Sequence, residues 1–225
     1  MLSAIIVAAG QGLRLKADVP KPLVKIGRRP VIIYSLSILN KHPDIDEIVV
    51  VLNAENQRQI VKAIKNHSFK KIKSFILGGK RRQDSVYNGL KEVSANTDWV
   101  LIHDSARPFI DSKSITEVIE AAKRTGAAIL GVPVKATIKS IKSGGMVDIT
   151  LDRSNLWEIQ TPQVFKKELI LRAYKEYSNR NVTDDASLVE KLGKKVKIVP
   201  GSYENIKITT QEDLLFAQAI VERNR

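Results

Sequence analysis

Ala8-Ala9-Gly10-Gln11-Gly12-Leu13-Arg14 follows directly on a short apolar run, and Pro20-Lys21-Pro22-Leu23 comes soon after it. Glycines at 10 and 12 let the backbone approach a ligand closely and turn its N–H groups inward, which is what cradling a phosphate requires. A lone Gly-x-Gly serves equally well as a structural turn. Leu15 breaks the dinucleotide-binding pattern, and the absence of a following Gly-Lys-Ser/Thr removes the P-loop. Arg14 and Lys21 add an Arg fork and a Lys point charge to the same loop-rich segment. Phosphoryl and nucleotidyl transfer ask little more of a protein than fixed positive charge aimed at oxygens whose charge grows in the transition state. By residue type alone, the two read as surface cations on a basic chain.

Asp104 ends the apolar stretch Trp99-Val100-Leu101-Ile102. Ligands of open α/β sheets sit at the carboxyl ends of strands, which is where this carboxylate falls. A hard cation such as Mg2+, or another divalent ion, takes only one or two protein carboxylates when it bridges triphosphate oxygens. Asp104 is therefore the candidate metal ligand, the alternative being a salt bridge to Arg107. His103 reads as scaffold. In Gly78–Ser85 the paired glycines could admit a flat base, and Ser85 offers a donor near a helix start; a cap after a turn fits the same residues.

These groups need a frame. Short Val/Ile/Leu-rich runs at 3–9, 47–53, 72–77, 99–103 and 127–134 predict strands buried on both faces. Between them, residues 30–40, 55–66, 84–93 and 112–125 carry apolar residues at helical spacing. In the last, Ile115, Val118, Ile119 and Ala122 form one stripe, with Asp111 or Ser112 placed to cap it. The alternation predicts an α/β fold with an open, mostly parallel, Rossmann-like sheet. Residues 135–153 then alternate polar and apolar around Ser143-Gly144-Gly145, the mark of a hairpin. A lone hairpin is marginal, so a protruding β-hairpin arm at about 135–155 is expected to pack on a second subunit as a homodimer. Helices near 166–177 and 184–192, a strand at 195–199 and a helix at 211–223 complete one domain over 1–225.

With 225 residues, 43% of them hydrophobic, the chain can bury a full core. It has no cysteine, which excludes disulfides, thiolate nucleophiles and Cys-based metal sites. No apolar run approaches the ~20 residues that span a bilayer. The apolar start lacks a basic leader region and runs into the glycine loop, so a buried strand and a cytoplasmic protein are expected, with no membrane partner. The net charge of +13 is spread along the chain and not interleaved with aromatics. That favours small polyanionic substrates and a solvated Lys-rich surface over nucleic acid.

Ala-Ala-Gly-x-Gly-x-Arg followed by Pro-Lys resembles the nucleotidyltransferases that activate sugar phosphates. Gly78-Gly79-Lys80-Arg81-Arg82-Gln83-Asp84-Ser85-Val86, His103-Asp104-Ser105-Ala106-Arg107-Pro108 and Leu156-Trp157-Glu158-Ile159-Gln160-Thr161-Pro162-Gln163 narrow the resemblance. So do Thr183-Asp184-Asp185-Ala186 and Asn205-Ile206-Lys207-Ile208-Thr209. Together they are similar, end to end, to the methylerythritol-phosphate cytidylyltransferases of non-mevalonate isoprenoid synthesis. The resemblance implies that Ala8, Ala9, Gly10, Gln11, Gly12, Gly79, Ser85, Asp104, Ser105 and Arg107 bind CTP, and that Arg14 and Lys21 stabilise the reacting phosphorus. It implies that Thr137, Arg153, Thr161 and Lys207 hold the sugar-alcohol phosphate, with Arg153 and Lys207 also serving catalysis and the arm completing the site across a dimer. Pro22 stands where that family commonly has Gln, and Ala136 where Asp often precedes the arm threonine. These two departures keep ribitol phosphate as an alternative acceptor. A basic nucleotide- or nucleic-acid-binding module is the non-enzymatic rival.

Overall fold

Residues 2–8 alternate Leu2, Ala4, Ile6 and Ala8 on one side with Ile5 and Val7 on the other, and both sets pack into core. A strand apolar on both faces belongs in the middle of a covered sheet, and strand β1 (Leu2–Ala8) lies there in the computed structural model, which describes residues 1–15, 17–177 and 180–223. A two-residue ribbon, β2 (Lys25–Ile26) and β3 (Arg29–Pro30), leads to α1 (Val31–Lys41). Then come β4 (Glu47–Leu52), α2 (Gln57–Lys65), β5 (Ile72–Leu77), α3 (Arg82–Glu92), β6 (Trp99–Asp104), α4 (Ser112–Thr125) and β7 (Ala127–Pro133). The arm is β8 (Ile138–Ile141) and β9 (Val147–Leu151). The chain returns through β10 (Trp157–Lys166), α5 (Lys167–Tyr177), α6 (Ala186–Lys191), β11 (Lys197–Pro200) and α7 (Gln211–Arg223).

Among the described residues the main sheet has seven strands in the order β11-β7-β10-β6-β1-β4-β5. All its pairings are parallel except those of β10, which runs antiparallel to both neighbours. The open, mostly parallel sheet expected from sequence is thus present. One face carries the apolar stripes of α1, α2 and α4, among them Leu36, Ile60 and Val118; the other carries those of α3, α5 and α6, among them Leu90, Ile170 and Leu188. A smaller cluster of Leu15, Val24, Ile26, Val31, Ile208 and Ala217 ties the glycine loop and the ribbon to α7. Lys73 and Lys197 stand on the two outer strands, where charge discourages edge-to-edge pairing.

Sequence and structure part at three places. Strand β10 was not expected. Its middle, Gln160-Thr161-Pro162-Gln163, is polar and carries a proline, which demotes a strand reading. The chain accommodates it with a cis Thr161–Pro162 bond and a register shift between Ile159 and Gln163, while the four residues are buried. Helix α3 starts at Arg82 and not at Asp84, because Asp84 is its third residue and accepts the Arg81 backbone N–H at 3.0 Å. The β2–β3 ribbon is too short to leave a pattern. Helix α4 has the expected bounds: Asp111 caps it by accepting the Ser114 N–H, and Gly126 ends it at φ 86°.

The arm pairs Ile138 with Leu151, Lys139 with Thr150 and Ser140 with Ile149, and turns through Gly144 and Gly145, both at positive φ. Ile141, Met146, Val147 and Ile149 on it are more than half exposed in the single chain.

Candidate active site

Strand β1 has β4 on one side and β6 on the other, so the connections leaving β1 and β6 diverge at their carboxyl ends. Such a switch point opens a crevice. A cavity of about 570 Å³ lies there, lined by the 8–12 loop, Arg14, Lys21, Pro22, Asn53, residues 79–82, Ser85, residues 104–106, Lys207 and Thr209.

The glycine loop is shaped by its own packing. Gly12 sits at φ +69°, and a Cβ there would stand 2.8 Å from the Lys21 Cβ. A Cβ on Gly10 meets no protein atom within 4 Å, so the space beside it is the open cavity that Gly10 lines. Leu15 is buried beyond the loop, and its carbonyl accepts from Gln211 Nε2 at 2.5 Å. Lys21 begins a short 3-10 turn between Pro20 and Pro22, whose fixed φ presets that backbone. Burial, then the nearby Lys207 and Arg14, push the Lys21 ammonium down to about 8, against the pull of Asp104. Lys21, Lys207 and Arg14 crowd one space.

Asp104 faces Lys207 and a further cation, Arg82. Its Oδ1 accepts from Arg82 Nε at 3.1 Å and its Oδ2 from Lys207 Nζ at 2.5 Å. Burial would raise this carboxyl, but Arg82 and Lys207 outweigh it and hold the group well below the usual carboxylate range. Arg82 in turn ion-pairs through Nη1 with Asp185 Oδ2 at 2.9 Å. Burial works against its charge, yet Asp185 and Asp104 together raise the guanidinium above the ordinary arginine value. Asp104 is the only acid lining the cavity, and no cluster of three His, Cys, Asp or Glu occurs among the described residues. That donor set suits a hard divalent cation that arrives with triphosphate oxygens of its own, not a resident metal held by protein alone.

The residues expected from sequence divide into three groups. Ala8, Ala9, Gly10, Gln11, Gly12, Arg14, Lys21, Gly79, Ser85, Asp104, Ser105 and Lys207 converge on the cavity. Arg107 and Thr161 do not line it. The Arg107 guanidinium donates to the carbonyls of Asn205 (2.6 Å) and Ile159 (3.2 Å), tying the 205–209 segment to β10, and Asp104 has other partners. The Thr161 hydroxyl is buried; it accepts the Asp104 backbone N–H at 3.0 Å and lies 3.1 Å from His103 Nδ1. Both side chains are thus engaged in bonds behind the cavity wall. Thr137 and Arg153 are exposed on the arm, outside this cavity, and the Arg153 guanidinium donates to the Lys135 carbonyl.

His103 is scaffold as expected: burial pushes it down to about 4, so it is neutral near pH 7. Nε2 must then carry the proton donated to the Arg107 carbonyl, leaving Nδ1 to accept from Thr161. The paired glycines have a reason other than admitting a base. A Cβ on Gly78 would stand 2.5 Å from the Ala9 Cβ, and one on Gly79 would stand 2.3 Å from the Asp84 Cβ. Ser85 Oγ accepts the Gly79 N–H at 3.1 Å, which fixes the loop against the start of α3. Arg82 was missed as a site residue. Its type gave no signal; only its place as the first residue of α3 points it into the crevice.

A family model for 2-C-methyl-D-erythritol 4-phosphate cytidylyltransferase matches residues 2–223. The protein of that name from Desulforamulus reducens is 45% identical over 223 residues, covering 98% of this chain and 95% of its own length. The one from Clostridioides difficile is 46% identical over 228 residues, covering 100% and 95%. Among solved structures, 4-diphosphocytidyl-2C-methyl-D-erythritol synthase from Anaerococcus prevotii superposes with a TM-score of 0.87 at 37% identity, covering 99% of this chain and 96% of that one.

Proposed function

Because this chain belongs to the 2-C-methyl-D-erythritol 4-phosphate cytidylyltransferase family, we propose that it transfers CMP from CTP to 2-C-methyl-D-erythritol 4-phosphate in isoprenoid biosynthesis. The carrying observation is the meeting of Arg14, Lys21, Arg82 and Lys207 around one cavity that contains a single carboxylate, Asp104. In this reading a phosphate oxygen of the acceptor attacks the α-phosphorus of CTP in line. A new P–O bond forms, the bond between the α-phosphorus and the α,β-bridging oxygen breaks, and pyrophosphate leaves with that oxygen. Backbone N–H groups of the 8–12 loop receive the triphosphate; Arg14, Lys21 and Lys207 offset the charge that grows on the equatorial and leaving oxygens.

Mg2+, or another divalent ion, would be held by Asp104 and would neutralise triphosphate charge. No protein nucleophile takes part, in keeping with a chain without cysteine. Gly79, Ser85 and Ser105 line the same cavity and are assigned to the nucleotide.

Thr137 and Arg153 enter as residues of a second copy. Their place on the arm, away from the chain's own cavity, and the exposed apolar side chains beside them support a homodimer in which each arm supplies the acceptor's phosphate with an Arg fork and a hydroxyl. The single domain with its arm is thus the working half of a pair. No helix among the described residues is long and apolar enough to cross a membrane. This reading takes the reaction to run in the cytoplasm, without a membrane or nucleic-acid partner. The ribitol phosphate alternative rested on Pro22 and Ala136; the named relatives do not favour it.

The test is pyrophosphate release from CTP and a divalent cation with each acceptor in turn. Release with methylerythritol phosphate and little with ribitol phosphate is expected. Preference for ribitol phosphate would overturn the acceptor, and no release with either would overturn the reaction.

A further inference from the structure

Behind the cavity wall the charges continue inward from Arg82 to Asp185 and Tyr174, which the transfer reaction does not itself touch. Arg82 reaches the cavity with one edge of its guanidinium on Asp104, while Nη1 is turned inward to Asp185. The Asp185 side chain is fully buried and does not line the cavity. Its other oxygen accepts from the Tyr174 hydroxyl at 2.5 Å, and the Tyr174 ring stacks on Tyr87 at 5.7 Å. The backbone around Asp185 is held by different groups: Gln163 Oε1 accepts the N–H of both Asp185 and Ala186, and Asp184 accepts the Ser187 N–H. The carboxylate of Asp185 is therefore free of capping duty. A buried carboxylate is costly unless an opposite charge faces it, and the charge that faces this one is Arg82.

We propose that Asp185, seconded by Tyr174, is a positioning residue for the transfer reaction: it fixes the Arg82 guanidinium so that Arg82 presents one edge to Asp104 and cannot swing into the cavity. Two carboxylates share one arginine. Each limits how closely the other can draw it, and the Asp104 oxygens keep one orientation whether Lys207 is docked on them or engaged elsewhere. Without the Asp185 charge, the Nη1 edge of Arg82 would be free to turn from Asp185 onto Asp104 and compete with whatever else Asp104 holds. The inference rests on the cytidylyltransferase reading above.

The experiment is a double-mutant cycle on turnover, with CTP affinity measured separately by calorimetry. Asp185→Asn keeps volume and removes charge; Arg82→Gln removes the other member. Asp185→Asn is expected to lower kcat by about 10–100-fold, the scale of small misplacements at a reacting centre, with CTP affinity within about threefold of wild type. In the Arg82→Gln background the same change should cost no more than about a further threefold, because the residue through which Asp185 acts is already gone. Losses that multiply independently, or a folded Asp185→Asn enzyme with wild-type kcat, would overturn the proposal. If Asp185→Asn does not fold, Tyr174→Phe, which keeps the stacked ring, reads the same coupling: a few-fold loss alone and none on Arg82→Gln. Equal losses of kcat in both backgrounds would count against it. A wild-type enzyme that releases no pyrophosphate would remove the functional reading and this inference together, whereas independent losses in an active enzyme remove the inference alone.

Discussion

The α-carbon of Gly12 and the β-carbon of Lys21 are packed so closely that a methyl group on Gly12 would come within 2.8 Å of Lys21. The loop proposed to receive the triphosphate and the cation proposed to act on it are one packed unit. Gly12→Ala would impose a positive φ on a residue with a Cβ, at a cost of about 1–2 kcal/mol, and would push Lys21 aside. Turnover is expected to fall about 100-fold or more, with a small loss of thermal stability; steady-state kinetics and a melting curve check both. Wild-type turnover would mean that the Lys21 position is not critical.

Arg14 and Lys21 are assigned to charge that grows in the transition state. Arg14→Ala or Lys21→Ala should lower kcat by about 10²–10³-fold, as loss of a preorganised charge-stabilising group does, with only modest weakening of CTP binding. Rapid-quench kinetics and calorimetry separate the two effects. A large loss of CTP affinity at unchanged kcat would make them ground-state binding residues.

Lys21 also sets a pH dependence. Burial first, then Lys207 and Arg14, lower its ammonium to about 8. As pH rises through about 8 in the free enzyme the cation is lost, so kcat/KM should fall on that limb. Bound triphosphate favours the charged form, so the limb of kcat at saturating CTP should lie at higher pH. Stability moves the other way. Because the folded value lies below the unfolded one, this group's contribution is lost as pH falls through about 8 and is regained as pH rises from there toward the ordinary lysine value. A falling rate with no loss of melting temperature between pH 8 and 9 distinguishes titration from unfolding. Lys21→Arg should remove the limb; its persistence would assign it to another group.

Most of this frame was legible because it depends on patterns that buried strands and amphipathic helices must show. The runs at 72–77, 112–125 and 211–223 match β5, α4 and α7 in both bounds. Strand β10 was not legible, because its hydrogen bonding is broken around Pro162 and its buried middle is the polar Gln160, Thr161 and Gln163, which leaves only Val164 and Phe165 as a short buried apolar pair. Those side chains serve tertiary contacts, such as Gln163 to the backbone of Asp185 and Ala186, which no local period announces. The glycine loop and Asp104 could be found from spacing and a strand end, whereas Lys21 read as a surface cation until the family resemblance gave it a role. Arg82 could not, since its importance comes from two carboxylates far away in the chain. Arg107 and Thr161 fall in a recognisable motif, yet their side chains are taken up by the carbonyls of Asn205 and Ile159 and by the Asp104 backbone.

The arm gives the sharpest test of shared sites. Arg14 belongs to a cavity that Arg153 of the same chain does not line. If Arg153 serves the partner's cavity, Arg14→Ala and Arg153→Ala impair every site of their own homodimers, but in different chains. Mixed and allowed to exchange, equal amounts should form heterodimers as half of all pairs. Each heterodimer has one site with both defects and one with neither, so about a quarter of all sites should recover full activity. Replacing Ile141 and Ile149 with Asp, which puts charge on the exposed apolar arm, should abolish this recovery and yield monomers on analytical ultracentrifugation, with CTP binding retained. No recovery on mixing chains that demonstrably exchange would confine Arg153 to its own subunit and remove the partner's arm from the acceptor site.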